Sequence, residues 1–313
     1  MAIVKPENMT FENKKLNIIL YGFPGVWKTR VAFSAPNPLL FDLDNGISRV
    51  NAEYRKDVAI SQKYEDFLED VEAAKSVYET VIIDTVGALI DLMKDWAMRT
   101  EPSATKTSGG FSITGFGIIK TEYLRLMADL RKNFNVISVF HASKEKIPKS
   151  EDYFYDIICE GSAKNIVWQP ADLGAYMHII NGERYLGFTP TANYNAKSAY
   201  GIKGLVKVPE LKDGEPNTFL TDLFAKVRQN IEEETKNLVA KKAEYNKAMD
   251  KGLPIVKGLK EPQDIENVLK AIEDIPNALT SNIELKAALK QRMAELNIVY
   301  NKEKKTYEYA EQK

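Results

Sequence analysis

Eight residues, GFPGVWKT at positions 22–29, have the types and spacing of a phosphate-binding loop, or P-loop. The pattern G-x-x-x-x-G-K-[ST] needs a lysine that reaches the β- and γ-phosphates and a hydroxyl that binds Mg²⁺. Lys28 and Thr29 stand at those two positions. Backbone N–H groups of such a loop surround the phosphates. The segment predicted to bind the nucleotide is Gly22, Phe23, Pro24, Gly25, Val26, Trp27, Lys28, Thr29 and Arg30.

Trp27 departs from the pattern, because it stands where the second glycine belongs. Glycine there permits unusual backbone conformations and a close approach to phosphate. A tryptophan in the left-handed conformation costs about 1–2 kcal/mol, and its side chain must point away from the nucleotide. Three alternatives stay open: the loop binds and hydrolyses ATP, it binds nucleotide and hydrolyses it poorly, or it is a glycine-containing turn with a chance lysine.

Two apolar segments end in polar residues that suit the same chemistry. VIID at positions 81–84 places Asp84 at the end of a predicted strand, where a carboxylate holds Mg²⁺ or its water. NVISVF at positions 135–140 is followed by His141, which would emerge at the edge of the sheet where ligands bind. His141 could contact the γ-phosphate or the attacking water, or act only as a local hydrogen-bonding group.

Two further carboxylates close the strand predicted at FDLDNG, positions 41–46. Alternation along a strand places Asp42 and Asp44 on the same face. Either could orient or deprotonate the attacking water, and we prefer Asp44. The alternative is a purely structural Asx turn at Asn45 and Gly46.

The hydrophobic pattern predicts the elements that must position these groups. Short apolar runs bounded by polar residues predict strands buried on both faces, and the amphipathic segments between them predict helices. This alternation predicts an α/β fold with a mostly parallel sheet. Asn181-Gly182 between two strand-like runs predicts a later antiparallel hairpin. The predicted strands cover 16–21, 38–43, 80–84 and 135–140, and the predicted helices cover 63–77, 86–98 and 118–132.

The C-terminal third has a different, mainly helical pattern. A long charged helix is predicted to stop near Gly252 and Pro254, which are followed by a punctuated stretch. The last residues, IVYNKEKKTYEY, predict a small hairpin or a frayed tail. We therefore divide the chain into a nucleotide-binding domain at 1–225 and a helical extension at 226–313. The helices predicted in this part are 219–251, 263–274 and 282–296.

Composition bounds the class of protein. A net charge of −1 over 313 residues means that nucleic-acid contacts would have to come from local patches or from several subunits together. Cys159 is the only cysteine, so a disulfide within the chain is excluded. The opening residues lack the apolar core of a signal peptide, and no apolar run reaches the roughly 20 residues that cross a bilayer. These features predict a cytoplasmic protein without a membrane anchor.

With these motifs in this order, the sequence resembles the RecA-like ATPases of bacteriophages and prophages that are implicated in recombination and single-strand annealing. The resemblance covers about residues 14–205. It implies ATP and Mg²⁺ as cofactors, Asp44 as the residue that activates water and His141 as the γ-phosphate sensor. It also implies a homo-oligomer, a ring or a filament, that acts on single-stranded DNA. Asp44 is shorter than the usual glutamate. The segments that carry the resemblance are the P-loop, VIIDTVGAL, FDLDNG, NVISVFH, GFGIIKTEYLRLMADLRK and NYNAKSAYG.

Two stretches correspond in position to the DNA-facing loops of RecA-like proteins, Thr100 to Gly117 and Ser143 to Lys164. Lysines near aromatic residues suit single-stranded nucleic acid, through phosphate neutralisation and base stacking. Acidic residues interrupt the second stretch, so flexible surface loops are the alternative. Lys197 could reach the nucleotide of a neighbouring subunit, or be an ordinary surface lysine. The predicted DNA contacts are Lys106, Lys144, Lys146 and Lys149.

Two functions from different classes follow. The first is an ATPase that acts on single-stranded DNA in recombination, annealing or repair. The second is a nucleotide-switched binding module that does not hydrolyse ATP, and whose C-terminal helices recruit a replication or recombination partner. Trp27 motivates the second. A small-molecule kinase fits less well, because no arginine-rich lid is evident.

Overall fold

The computed structural model describes residues 9, 11, 13–159, 163–210 and 214–310. The chain divides into two compact units, one of residues 11–230 and one that contains residues 231–310. The predicted division at 225/226 into two domains stays a prediction. Within the described residues, no helix is long and apolar enough to span a membrane.

In the part of the chain that the structure describes, the first unit is built on a ten-stranded sheet. Its central strands are apolar and fully buried, as the short hydrophobic runs predict. The strands are β1 (Asn17–Gly22), β2 (Pro38–Asp42), β3 (Val58–Ala59), β4 (Thr80–Asp84), β5 (Asn135–Lys146), β6 (Tyr153–Ile157), β7 (Leu173–Ile180), β8 (Glu183–Gly187), β9 (Lys197–Ser198) and β10 (Leu205–Lys207).

The strand order is β10-β8-β7-β1-β5-β4-β2-β3, with β6 paired to β5 and β9 paired to β7. The pairs from β7 across to β3 are parallel. The late strands β8, β9 and β10 pair antiparallel. β5 therefore lies between β1 and β4, and the carboxyl ends of all three parallel strands meet at one edge, where ligands bind in such sheets.

Helices connect the strands and cover the sheet. On one face, Phe67, Met93 and Leu130 from three helices are buried in a common core with the strands. The long helix that begins at Phe219 is attached to Ser34, which follows the helix of the P-loop. The backbone N–H of Leu220 donates to Ser34 Oγ, and the backbone N–H of Thr221 donates to Ser34 O. The helices of this unit are α1 (Lys28–Ala32), α2 (Tyr64–Ala74), α3 (Val86–Thr100), α4 (Ile113–Asn133), α5 (Ala163–Trp168) and the first part of α6 (Phe219–Lys257).

The predicted fold class is confirmed: an α/β fold with a mostly parallel sheet, a late antiparallel hairpin and a helical C-terminal region. Asn181 and Gly182 form the turn between β7 and β8, with φ of 52° and 84°. Positive φ at both central residues is the geometry that favours Asn-Gly in two-residue hairpins.

In the first unit, the predicted end of β5 and the predicted start of α4 are wrong. β5 does not stop at Phe140 but continues to Lys146, because β6 pairs antiparallel with its second half. α4 begins at Ile113 rather than at 118, because the hydroxyl of Ser112 accepts a hydrogen bond from Gly115 N and caps the helix. The first candidate DNA loop is therefore shorter than predicted.

The second unit contains the rest of α6 together with α7 (Ile265–Glu273), α8 (Ser281–Glu295), β11 (Ile298–Asn301) and β12 (Thr306–Tyr309). The predicted end of α6 near Gly252 and Pro254 is wrong, since the helix continues to Lys257. A side chain at Gly252 would lie 2.4 Å from Leu285 Cδ1, so the glycine permits close helix packing. Of the two forms predicted for the last residues, the structure has the hairpin.

Candidate functional site

The P-loop follows β1 directly and has the backbone that its pattern predicts. A side chain at Gly22 would lie 2.6 Å from Met177 O of β7, so this position requires glycine. Gly25 has a left-handed φ of 82°. The ammonium of Lys28 donates to Gly22 O at 3.1 Å and to Phe23 O at 3.0 Å. Lys28 is thus held over the loop, and burial lowers its pKa while Asp84 and Asp44 oppose that shift.

Thr29 and Asp84 come together although 55 positions separate them in the chain. The hydroxyl of Thr29 donates to Asp84 Oδ2 at 2.6 Å, which joins the start of α1 to the end of β4. Asp84 is buried, and this burial raises its pKa to about 6, with the hydrogen bond from Thr29 acting in the opposite direction. A hydroxyl and a buried carboxylate at this distance are hard oxygen ligands of the type Mg²⁺ prefers.

The structure separates the roles of the two aspartates at the end of β2. Asp42 is buried and its carboxylate accepts hydrogen bonds from Gly46 N at 2.7 Å and Ile47 N at 3.0 Å. It therefore caps the turn. Asp44 lies beyond the strand, partly exposed, with Arg49 at 3.9 Å. Its charge acts on the pKa of both Lys28 and His141, and its role as the water-activating carboxylate stays a prediction.

His141 lies at the same edge, although the continuation of β5 places it within a strand rather than at its end. It is in register with Gly22, the last residue of β1. Its Nδ1 is buried and has no hydrogen-bond partner among the described residues. Burial and the charge of Lys28 lower its pKa, which favours the neutral imidazole. A neutral histidine beside the P-loop can donate to a phosphate oxygen or orient a water.

Trp27 adopts the left-handed conformation that the motif glycine would take, with φ of 76° and ψ of 27°. Its ring is covered by two guanidinium groups, that of Arg184 at 3.3 Å and that of Arg30 at 4.1 Å from the ring centroid. Arg30 also lies 4.0 Å from the ring of Tyr54. Cation–π contacts contribute about 0.5–2 kcal/mol each, enough to offset a left-handed strain of about 1–2 kcal/mol. The indole thus packs against Arg30 and Arg184.

The second candidate DNA stretch is a β-hairpin rather than a loop, formed by β5 and β6. Lys144 and Lys146 are exposed on β5, and Lys149 lies in the turn with φ of 62°. In the pairing register, Lys144 faces Tyr155 and Lys146 faces Tyr153. The Lys144 ammonium lies 3.9 Å from the ring centroid of Tyr153. Residues 160–162 of this stretch lie outside the described residues.

The remaining candidate lysines have other surroundings. Lys106 is exposed on a different loop, between α3 and α4, whose turn is closed by Lys106 N donating to Gly110 O at 2.9 Å. The ammonium of Lys197 donates to Trp168 O at 3.1 Å and Gln169 O at 2.8 Å. Lys197 therefore caps the end of α5 in its own chain, which favours the local alternative for this residue.

Two residues at the site were not predicted from the sequence, Arg184 and Tyr54. Nothing in their local sequence marks them, because each is an ordinary residue of a strand or a short helical turn. The Asn181-Gly182 signal places Arg184 near the start of a strand, but only the pairing of β7 with β1 brings that strand beside the P-loop.

The fold and the site together define a P-loop nucleotide-binding domain of the α/β class. A family model described as "AAA domain" matches residues 14–200. This covers more than half of the chain, so the chain belongs to that AAA domain family, whose members have a nucleotide-binding, ATPase-like domain. Comparison with curated proteins finds no match. The family implies nucleotide binding, typically with Mg²⁺. Lys28 would hold the phosphates, and Thr29 and Asp84 the metal.

Proposed function

We propose that this AAA domain is an ATPase that acts on single-stranded DNA, in phage-type recombination, annealing or repair, as a ring or filament of identical subunits. The proposal combines the family match with the resemblance to phage and prophage RecA-like ATPases. Asp44 would activate the attacking water and His141 would contact the γ-phosphate. Mg²⁺ bound by Thr29 and Asp84 would neutralise charge that develops on the phosphates.

One observation carries the proposal: a single strand, β5, joins the nucleotide edge to the candidate DNA lysines. His141 lies beside Gly22, and Lys144 and Lys146 follow on the same strand. The P-loop also contacts the hairpin, since the Phe23 and Tyr155 rings are 5.7 Å apart in an edge-to-face arrangement. A change at the phosphates can therefore be transmitted to the hairpin that carries Lys144, Lys146, Tyr153 and Tyr155, called here the lysine–tyrosine hairpin.

Four acidic residues accompany the three lysines of the hairpin: Glu145, Glu151, Asp152 and Asp156. Lys164 pairs with Glu145 at 3.3 Å and with Asp156 at 3.7 Å. Asp156 is buried and accepts a hydrogen bond from the indole of Trp168 at 3.2 Å. Asp152 accepts a hydrogen bond from Ser150 Oγ at 3.0 Å, so three of the four acids have partners within the fold. The exposed Lys144 and Lys146 provide cationic contacts and the exposed Tyr153 a ring for stacking, as in proteins that bind single strands without sequence preference, whereas Tyr155 stacks on Tyr176.

The test is ATP hydrolysis with Mg²⁺, with and without single-stranded DNA, in the parent protein and in Lys28→Ala. We expect DNA to raise turnover in the parent, and the lysine variant to lose it. DNA binding should weaken with salt, by roughly 0.7 log unit in affinity per log unit of salt for each phosphate contact on a single strand. A parent protein without salt-sensitive DNA binding, with and without ATP, would reject the proposal.

Two matched double variants distinguish an effect of the hairpin lysines on DNA stimulation from an effect of the overall charge of the protein. Lys144→Ala combined with Lys146→Ala removes two exposed lysines of β5. Lys241→Ala combined with Lys251→Ala removes two exposed lysines of α6 and the same charge. We expect only the first pair to lose DNA stimulation, with turnover in the absence of DNA retained. Equal loss in both pairs would assign the effect to overall charge.

A second candidate function is the nucleotide-switched module that does not hydrolyse ATP and that recruits a replication or recombination partner. It is favoured by Asp44, which is shorter than glutamate and lies 3.9 Å from Arg49. The two functions differ in turnover. Nucleotide-dependent assembly without hydrolysis favours the switch, whereas steady turnover above roughly one per minute, a barrier near 20 kcal/mol, contradicts it.

A further inference from the structure

The P-loop of this chain contains a bulky residue in a conformation that bulky residues avoid. A non-glycine residue at positive φ is uncommon, and for a large side chain it is an outlier that the surroundings must hold in place. Trp27 has φ of 76° immediately before Lys28, the residue that reaches the phosphates. Whatever stabilises Trp27 in this conformation therefore also positions Lys28 and the neighbouring N–H groups.

Arg184 is in a position to stabilise it. Its guanidinium lies 3.3 Å from the Trp27 ring centroid, closer than that of Arg30 at 4.1 Å. Arg184 Nε and Arg30 Nη2 are both buried and have no hydrogen-bond partner among the described residues. Packing against aromatic rings therefore holds these two guanidinium groups. The Trp27 ring is covered by Arg30 of the adjoining helix α1 and by Arg184 of the distant strand β8.

The position of Arg184 is fixed by the sheet and not by the P-loop. Met177 of β7 is in register with Gly22 of β1 and with Leu186 of β8. Arg184 pairs with Ile179 on β7, and its carbonyl accepts a hydrogen bond from Val208 N at 2.8 Å. The hairpin is thus anchored at the root of the P-loop, and Arg184 belongs to a strand that is paired on both sides.

We propose that Arg184 is a positioning residue for nucleotide binding, which acts through Trp27 by holding it in the left-handed conformation that the motif glycine adopts without help. In this chain the β7–β8 hairpin replaces the glycine as the source of the loop geometry. The inference rests on nucleotide binding at the P-loop, and on neither DNA binding nor hydrolysis.

The test is a double-mutant cycle on ADP affinity with Mg²⁺, measured by titration calorimetry. In the parent, Arg184→Ala should weaken ADP binding about 5- to 30-fold, the factor that corresponds to releasing a left-handed residue. In a Trp27→Gly background the same change should alter affinity less than about twofold, because glycine needs no support. Arg184→Lys should be intermediate, since it keeps the charge and loses the planar group.

Tyr185→Ala is the matched control, because Tyr185 is the next residue on β8 and its hydroxyl donates to Glu183. It should leave ADP affinity unchanged in both backgrounds, and melting temperatures should verify that every variant folds. An equal loss from Arg184→Ala in both backgrounds would overturn the inference and indicate direct contact with the ligand. Loss of ADP binding in Trp27→Gly would also overturn it.

The outcomes are distinct from those that test the proposed function. Normal behaviour in the cycle without DNA-stimulated hydrolysis would reject the function and retain the role of Arg184. If DNA stimulates hydrolysis but Arg184→Ala leaves ADP affinity unchanged, the proposed function is retained and the role of Arg184 is rejected. Absence of ADP binding in all variants and in the parent would reject both.

Discussion

The P-loop contains two left-handed residues that are held in opposite ways. Gly25, with φ of 82°, has nothing within 4 Å of the position that a side chain would take. Trp27, with φ of 76°, has its ring between Arg30 and Arg184. The first position is left-handed because glycine adopts it at no steric cost. The second is left-handed because contacts from elsewhere in the fold offset the strain.

This difference teaches that a motif position specifies a backbone conformation and not a residue. Local sequence supplies that conformation at Gly25, whereas packing supplies it at Trp27. The two mechanisms respond differently to mutation, since a locally determined position is sensitive only to its own residue. A position determined by packing is sensitive also to partners far away in the chain.

The largest expected effect is on ATP turnover, and it distinguishes the contribution of the loop geometry from that of the Lys28 charge. Lys28→Ala keeps both left-handed residues and removes the ammonium that contacts Gly22 O and Phe23 O. We expect ATP turnover to fall about 100-fold or more, as for loss of a key electrostatic group in an active site. Steady-state hydrolysis measures this, and turnover within tenfold of the parent would show that loop geometry outweighs the charge.

The next effect tests the glycine side of the comparison. Gly25→Ala introduces left-handed strain with no side-chain contact to offset it, so ADP affinity should fall about 5- to 30-fold. Gly25→Asn should lose less, since asparagine tolerates this conformation better than other residues. Calorimetry on the two variants checks the order, and equal losses would point to a steric clash with the ligand instead of strain.

A smaller effect concerns stability at the metal side of the loop. Burial raises the pKa of Asp84 to about 6, so a charged Asp84 destabilises the folded protein at pH 7.5. Asp84→Asn should therefore raise the melting temperature by about 3–6 °C without nucleotide or Mg²⁺. The stability that a raised pKa provides is present at low pH and is lost as pH rises through that pKa. The gain from asparagine should accordingly shrink below pH 6.

The control for Asp84→Asn is the same pair of proteins with Mg²⁺ and ADP. Ligand that binds only the folded state stabilises it, so the melting temperature of the parent should rise more than that of the variant. The difference between the two melting temperatures should therefore narrow or reverse. An Asp84→Asn variant that melts below the parent without ligand would mean that the Thr29–Asp84 hydrogen bond outweighs the cost of burying the charge.

The smallest effect concerns the other aromatic residue of the loop. Phe23 is 37% exposed and meets Tyr155 only edge to face, so it is held far less firmly than Trp27. Phe23→Ala should change ADP affinity less than about twofold and should reduce DNA stimulation of hydrolysis about two- to fivefold, given about 0.5–1 kcal/mol for an aromatic pair. A larger loss of ADP affinity would place Phe23 with Trp27 as a residue that shapes the loop.

Much of the fold follows from local patterns. The apolar runs predict the four central strands because a strand buried on both faces must be apolar throughout. TVIID matches β4 from Thr80 to Asp84, and Asn181-Gly182 marks the turn between β7 and β8. Each of these signals acts over a few residues, where backbone preference and burial agree.

The failures occur where a distant contact overrides the local signal. β5 continues past His141 because β6 supplies a partner strand. α6 passes Gly252 and Pro254, where Leu285 packs closely against the glycine. Glycine and proline predict helix ends from backbone preference alone, and tertiary packing outweighs that preference here.

The sequence by itself determined the register of the P-loop, the strand that ends at Asp84 and the α/β class, because each depends on residue types a few positions apart. Tertiary structure decided that Asp42 caps a turn while Asp44 lies beyond β2, how β5 connects His141 to the lysine–tyrosine hairpin, and why Trp27 is tolerated. Arg184 lies 157 positions beyond Trp27, so its contact exists only once the sheet has paired β7 with β1. Sheet pairing is a long-range property, and no local pattern encodes it.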